Sequence, residues 1–159
     1  MAKSKTNAMR LLDAAGEVYH VHEYDHRDGK IDGLSAAAKI GIEPERVFKT
    51  LVTKGASSLY VFVVPVKGEL DLKKAARAAG EKKVELIPVK DIQKWTGYIR
   101  GGCSPIGMKK LYPTFIEEQA RDHNAIVVSA GRIGAQIELT PDRLADVVNA
   151  SFCELVNKI

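Results

Sequence analysis

Residues 47–66 read Val-Phe-Lys-Thr-Leu-Val-Thr-Lys-Gly-Ala-Ser-Ser-Leu-Tyr-Val-Phe-Val-Val-Pro-Val. Two runs rich in β-branched and aromatic side chains, 47–52 and 59–66, flank the polar connection Lys54-Gly55-Ala56-Ser57-Ser58. Such side chains fit a pleated, half-buried surface, and a short glycine-bearing connection joins neighbouring strands as a hairpin. This hairpin is the centre from which the rest of the chain is read.

Upstream, Met9, Leu11, Leu12 and Ala15 recur at helical spacings within residues 5–15, ahead of Gly16. Residues 18–25 alternate as a strand does, with Tyr19, Val21 and Glu23 on one side and His20, His22 and Tyr24 on the other. An alanine-rich helix over 33–40 closes at Gly41, and Glu43-Pro44-Glu45 turns into the hairpin. Downstream, Leu70-Asp71-Leu72 opens a basic helix that ends at Gly80; a short strand over 84–87 follows, and Pro88 starts a helix running to about Trp95.

Residues 98–107 are glycine-rich and irregular, and strands are expected over 114–117, 125–129 and 136–139. Thr140-Pro141-Asp142 is a helix start, with the threonine as cap and proline at the first helical position. Strands thus mix with short helices without regular βαβ alternation. The expectation is an α+β fold, a mostly antiparallel sheet flanked by helices.

A chain of 159 residues fits one domain, 1–159, with a real hydrophobic core. The 45% apolar and 28% charged fractions are those of an ordinary globular protein. No run of about 18 apolar residues is present, so no membrane span is expected. The opening Met-Ala-Lys-Ser-Lys-Thr-Asn lacks the apolar stretch of a secretory leader. Two cysteines without paired spacing, Cys103 and Cys153, argue against a disulfide framework and a cysteine-based zinc site. A cytoplasmic protein is expected. The net charge of +4 serves solubility or attraction of a polyanion, and charge alone does not choose between them. The densest basic stretch is Lys73, Lys74, Arg77, Lys82 and Lys83, with Lys109-Lys110 as a second.

Three features could carry chemistry. Lys49 lies in a strand whose two faces are both substantially apolar; its amine either points at an anion from the wall of a cavity or snorkels to solvent. Gly101-Gly102-Cys103-Ser104-Pro105-Ile106-Gly107 fixes an unusual backbone path that lets main-chain N–H groups approach a ligand, or it is a structural loop. It has neither the ending of a P-loop nor the spacing of a dinucleotide fingerprint. Ser129-Ala130-Gly131-Arg132-Ile133-Gly134 is a hairpin turn or a strand end lining a pocket. Two further readings are weaker. His20 and His22 form a His-x-His pair without a signposted third metal ligand, and Cys103 as a nucleophile lacks a nearby histidine in sequence.

Taken in order, Tyr24-Asp25-His26, Phe48-Lys49-Thr50, the 101–107 loop and Ser129-Ala130-Gly131 resemble the YbaK family of Cys-tRNA(Pro) deacylases. Asp71-Leu72-Lys73-Lys74-Ala75-Ala76 and Lys82-Lys83-Val84-Glu85 extend the similarity, which runs from about residue 5 to 157. The resemblance implies a barrel-like sheet of six or seven strands surrounded by helices, related to the editing domain inserted in many bacterial prolyl-tRNA synthetases. It implies Lys49 as the essential lysine and Tyr24 and Ser129 in the pocket. Gly101 and Gly102 would cradle the aminoacyl-adenosine end, and Thr50, Ser104, Pro105 and Gly131 would join the substrate-binding set. One departure is Cys103, where the family usually has an aliphatic residue.

The implied activity is hydrolysis of mischarged Cys-tRNA(Pro), with no metal or cofactor and with a transient prolyl-tRNA synthetase complex. The substrate's own thiol would attack its ester. The alternatives are a deacylase for other mischarged tRNA such as Ala-tRNA(Pro), a non-catalytic module binding aminoacyl-tRNA or a synthetase, and a metal-dependent hydrolase.

Overall fold

In the computed structural model, which describes residues 4–157, the chain begins α1 (Asn7–Ala14), β1 (His20–Glu23), α2 (Gly33–Ile40), β2 (Phe48–Lys54) and β3 (Leu59–Pro65). It continues α3 (Leu72–Ala79), β4 (Glu85–Leu86), α4 (Ile92–Thr96), β5 (Thr114–Glu117) and β6 (Ile126–Ser129), and closes with β7 (Ala135–Leu139), α5 (Pro141–Val148) and β8 (Ser151–Cys153). The first three residues of the opening segment read for a leader lie outside the described residues. No helix among the described residues is long and apolar enough to cross a membrane.

The central hairpin forms as expected. β2 and β3 pair antiparallel from Phe48 opposite Pro65 to Lys54 opposite Leu59. Four strand pairings are antiparallel and two are parallel, so the α+β, mostly antiparallel reading holds. The parallel ladder runs β3–β5–β8, and the sequence reading contained neither it nor β8 itself. β8 is three residues long, too short to display a period.

Among the described residues the barrel-like sheet of six or seven strands that the resemblance implies does not appear as a closed barrel. Eight strands divide into a three-stranded sheet, β1–β7–β6, and a five-stranded one, β4–β2–β3–β5–β8. The sheets touch through one parallel bridge, Val47 to Val127, instead of a continued ladder, and no closed barrel results. The helix expected from Pro88 is also divided, a 3₁₀ turn over Val89–Asp91 preceding α4.

Capping sets the helix starts. Thr6, Asp32, Asp71 and Thr140 each accept a hydrogen bond from a backbone N–H in the first turn of α1, α2, α3 and α5. One core, with Leu12, Phe48, Ile106, Ile116, Ile137 and Leu144, packs α1 and α5 against strands of both sheets. A second lies beneath α3, where Phe62 stacks on Phe115 with centroids 5.4 Å apart. This packing fixes β2 and the end of β6 side by side, and the irregular 98–107 segment folds over the gap between the sheets.

Candidate active site

That gap is an open cleft of about 590 Å³. β2 supplies Lys49 and Thr50, the glycine loop supplies Arg100, Gly101 and Cys103, the end of β6 supplies Ser129, β7 supplies Gln136, and the start of α2 supplies Asp32. Lys49 therefore lies on a cavity wall. Its side chain is 28% exposed and its Nζ stands 3.8 Å from Glu69 Oε1, a carboxylate that is itself 95% exposed. Such a pair is weak, so the ammonium remains available to an anion entering the cleft. The neighbouring Thr50 hydroxyl is buried without a hydrogen-bond partner.

The glycine loop owes its path to two close approaches. Gly101 adopts φ +85°, a left-handed conformation, and a Cβ there would meet Ile31 Cδ1 at 2.7 Å. A Cβ on Gly102 would fall 2.9 Å from the backbone of Arg132 and Ile133. The amide of Gly102 already donates to the Ile99 carbonyl at 2.9 Å, so it is committed to the turn. Gly101, not Gly102, presents backbone to the cleft.

The other expected members separate from the cleft. Ser104 is fully buried and its Oγ accepts from the Ile106 amide at 3.2 Å, which braces the loop from beneath. Pro105 borders a small cavity with Leu11 and Met108. Gly131 donates its amide to Ser129 Oγ at 3.2 Å and packs at Tyr98, whose hydroxyl in turn donates to the Ile106 carbonyl at 2.7 Å. Tyr24 is buried away from the lining, with Lys39 Nζ 5.6 Å from its ring centroid and its hydroxyl unpartnered. Of the nine residues singled out, Lys49, Thr50, Gly101 and Ser129 line the cleft.

Three lining residues escaped the sequence reading. Asp32 caps α2, accepting from the Ser35 amide and hydroxyl, and its Ser35 hydrogen bonds hold its carboxyl below the usual range. Gln136 pairs in register with Ser129 on one side and His22 on the other. Arg100 carries the one visible signal, a cation directly beside the paired glycines.

Of the two weaker readings, Cys103 lines the cleft and the histidine pair does not. Burial pushes the Cys103 thiol up to about 11 against a smaller opposing effect of a Thr96 hydrogen bond. A thiol held protonated at neutral pH is a poor nucleophile. His22 bonds Glu138 at 2.7 Å, and Arg46 takes the other carboxylate oxygen at 2.6 Å, while His20 is exposed.

Comparison with known proteins gives this geometry a family. Residues 32–147 match the model of the aminoacyl-tRNA editing domain. The chain is 47% identical over 157 residues to a candidate Cys-tRNA(Pro)/Cys-tRNA(Cys) deacylase, EbsC, of Enterococcus faecalis, covering 98% of this chain and 96% of that one. Among solved structures, a candidate trans-editing enzyme for prolyl tRNA synthetase superposes with a TM-score of 0.84 at 24% identity, covering 98% of this chain and all of that one, and so shows the fold. A scaffold protein from computational epitope grafting superposes with a TM-score of 0.85 at 26% identity over the same shares. With the match taking in the cleft residues from Asp32 to Gln136, this chain belongs to the aminoacyl-tRNA editing domain family.

Proposed function

We propose that this chain is an aminoacyl-tRNA deacylase that removes cysteine wrongly attached to proline tRNA. The observation that carries the reading is the convergence of Lys49, Gly101 and Ser129 on one cleft, from three separate segments. A cation and a rigid backbone turn facing each other across a concave site suit the terminal adenosine and its phosphate.

An aminoacyl ester is already activated, so orientation and charge stabilisation suffice where a protein nucleophile is lacking. In this reading Lys49 holds the terminal phosphate or ribose, the Gly101 backbone faces the reacting carbonyl, and Ser129 and Thr50 complete the pocket. The substrate's own sulfur attacks its carbonyl carbon. A C–S bond forms, the C–O bond to the ribose breaks, and the ribose oxygen receives the proton released by the thiol. The products are a cysteine thiolactone and free tRNA, and water opens the thiolactone to cysteine.

Selectivity then follows from chemistry more than from size. A pocket sorting by one methylene separates substrates only about 10–200-fold, whereas alanine and proline have no thiol to attack with. The Enterococcus relative's name adds Cys-tRNA(Cys), which a thiol-based mechanism would also accept. Discrimination between the two tRNAs is then assigned to a prolyl-tRNA synthetase partner, and the protein acts in the cytoplasm where tRNA is charged.

The test compares deacylation of Cys-tRNA(Pro), Cys-tRNA(Cys) and Ala-tRNA(Pro) by wild type and Lys49→Ala, with and without a chelator. Rapid loss of cysteine from both tRNAs, slow loss of alanine and indifference to the chelator are expected. Equal rates for cysteine and alanine would replace thiol chemistry by a size-sorting pocket, and absence of turnover would leave a binding module.

A further inference from the structure

Charge in this chain is segregated. Residues 82–111 hold seven Lys or Arg against two acidic residues, a net +5, while the whole chain carries only +4 and the remainder is therefore −1. The segment runs from the second sheet through α4 to the rim of the cleft, where Arg100 and Gly101 are lining residues.

Several cations of the chain close onto carboxylates: Lys39 on Asp28, Lys67 on Glu45, Arg143 on Glu17, and, within this segment, Lys83 on Glu85. Lys94 and Lys109 are engaged differently. Lys109 stacks its stem over Gly97 and donates its Nζ to the Lys94 carbonyl at 3.3 Å, and Lys94 Nζ stands 4.9 Å from the Trp95 ring centroid. Both lysines are exposed. The backbone beneath them is rigid, because the Lys109 amide donates to the Thr96 carbonyl and the Tyr112 hydroxyl to the Trp95 carbonyl. Trp95 itself is 40% exposed.

A cationic segment that leads along the chain from α4 to Arg100 at the cleft meets the requirement of a polyanion whose end enters that cleft. From this we infer that α4 and the Lys109 segment are the landing surface for the base-paired acceptor stem of the tRNA, its phosphates passing Arg100 at the cleft and reaching Lys94 and Lys109. A protein partner would need apolar area at its centre, whereas here the apolar groups are interleaved with lysines. The ligand class rests on the deacylase proposal, but binding to this surface is read separately from turnover.

Trp95 is the only tryptophan in the sequence, so its emission reports on this surface alone. The probe is an RNA hairpin ending in an unpaired CCA, titrated at several salt concentrations against wild type and the Lys94→Gln/Lys109→Gln double variant. Fluorescence anisotropy of labelled hairpin gives affinity, and Trp95 emission gives location. The expected result is a salt-sensitive complex that perturbs Trp95 emission. The double variant should bind about tenfold more weakly, with the salt slope reduced by about two. Hairpin binding that leaves Trp95 emission unchanged, or an unaltered salt slope in the variant, overturns the inference, as does absence of binding at low salt. A wild-type chain that binds through these lysines but releases no cysteine sustains the surface and overturns the deacylase reading.

Discussion

Gly102 stands so close to Arg132 that a methyl group on its Cα would lie 2.9 Å from the Arg132 carbonyl carbon. The opposing atoms are backbone, which cannot rotate away as a side chain does. Two irregular segments, the loop after Tyr98 and the turn between β6 and β7, are thereby locked against each other. Gly102→Ala is expected to push them apart, lowering stability by about 1–3 kcal/mol as overpacked sites do. Gly101 and Ser129 should separate with them, and deacylation should fall at least as steeply as stability. Thermal unfolding and turnover measured together check this; a variant with wild-type values for both would show that the contact relaxes without consequence.

Lys49 and Glu69 offer an asymmetric pair of substitutions. The carboxylate is 95% exposed and 3.8 Å away, so the contact contributes at most about 1 kcal/mol. Glu69→Gln should leave melting temperature and turnover near wild type. Lys49→Ala should lose about a hundredfold or more in rate, on the order of the 3 kcal/mol that a missing electrostatic contact at a reacting centre costs. Steady-state kinetics on Cys-tRNA(Pro) separate them. Equal effects of the two substitutions would assign the lysine to structure.

The legible part of this protein is what a period or a capping residue encodes locally. The 47–66 hairpin, the helices ending at Gly41 and Gly80, and the Thr140-Pro141 start all appear where their side chains place them. The parallel ladder β3–β5–β8 was not legible, because its strands are distant in sequence and nothing in any one of them names its partner. Of the cleft lining, Lys49 and Gly101 were readable from a lysine on an apolar strand and a crowded glycine pair. Ser104 and Pro105 lie outside the cleft lining for a geometric reason: adjacency in a motif does not reveal which side of a loop faces the cleft and which side braces it. Asp32 and Gln136 were hidden by their ordinary roles as a helix cap and a strand residue.

Alkaline pH offers a third test, with a determined sign. Burial raises the Cys103 and Cys153 thiols to about 11, against 9.0 for a free thiol. Below pH 9 both the folded and unfolded chains hold these protons and the thiols impose no pH dependence. Between pH 9 and about 11 the folded chain retains protons that the unfolded chain releases, so stability falls as pH rises. Denaturant unfolding at pH 8, 9.5 and 10.5 should show that decline, and Cys103→Ala should lessen it, leaving the share of Cys153, while turning over Cys-tRNA(Pro) near the wild-type rate. A loss of turnover in this variant at pH 7.5 would give the thiol a chemical role.

Glu117 is fully buried at the end of β5 and ties three backbone amides. Its Oε1 accepts from Leu155 at 2.9 Å and Val156 at 3.0 Å, and its Oε2 accepts from Gln119 at 2.8 Å. Through these bonds one side chain secures the segment after β8, which also returns the Leu155 carbonyl to the Asp71 amide at the start of α3. Removing the acceptor strands buried N–H groups, each costing about 1–3 kcal/mol. Glu117→Ala should therefore lose on the order of 3 kcal/mol or more, and hydrogen exchange at the Leu155 and Val156 amides should accelerate well beyond that of β2 and β3. Glu117→Gln keeps one oxygen for Leu155 and Val156 but turns an N–H₂ toward the Gln119 amide, donor against donor, so its loss should be intermediate. Unfolding curves in the order wild type, Gln, Ala, with exchange accelerated first at the C-terminal segment, are the expected outcome. A Gln variant less stable than the Ala variant would place the importance of this site in steric fit instead of in the amides that it satisfies.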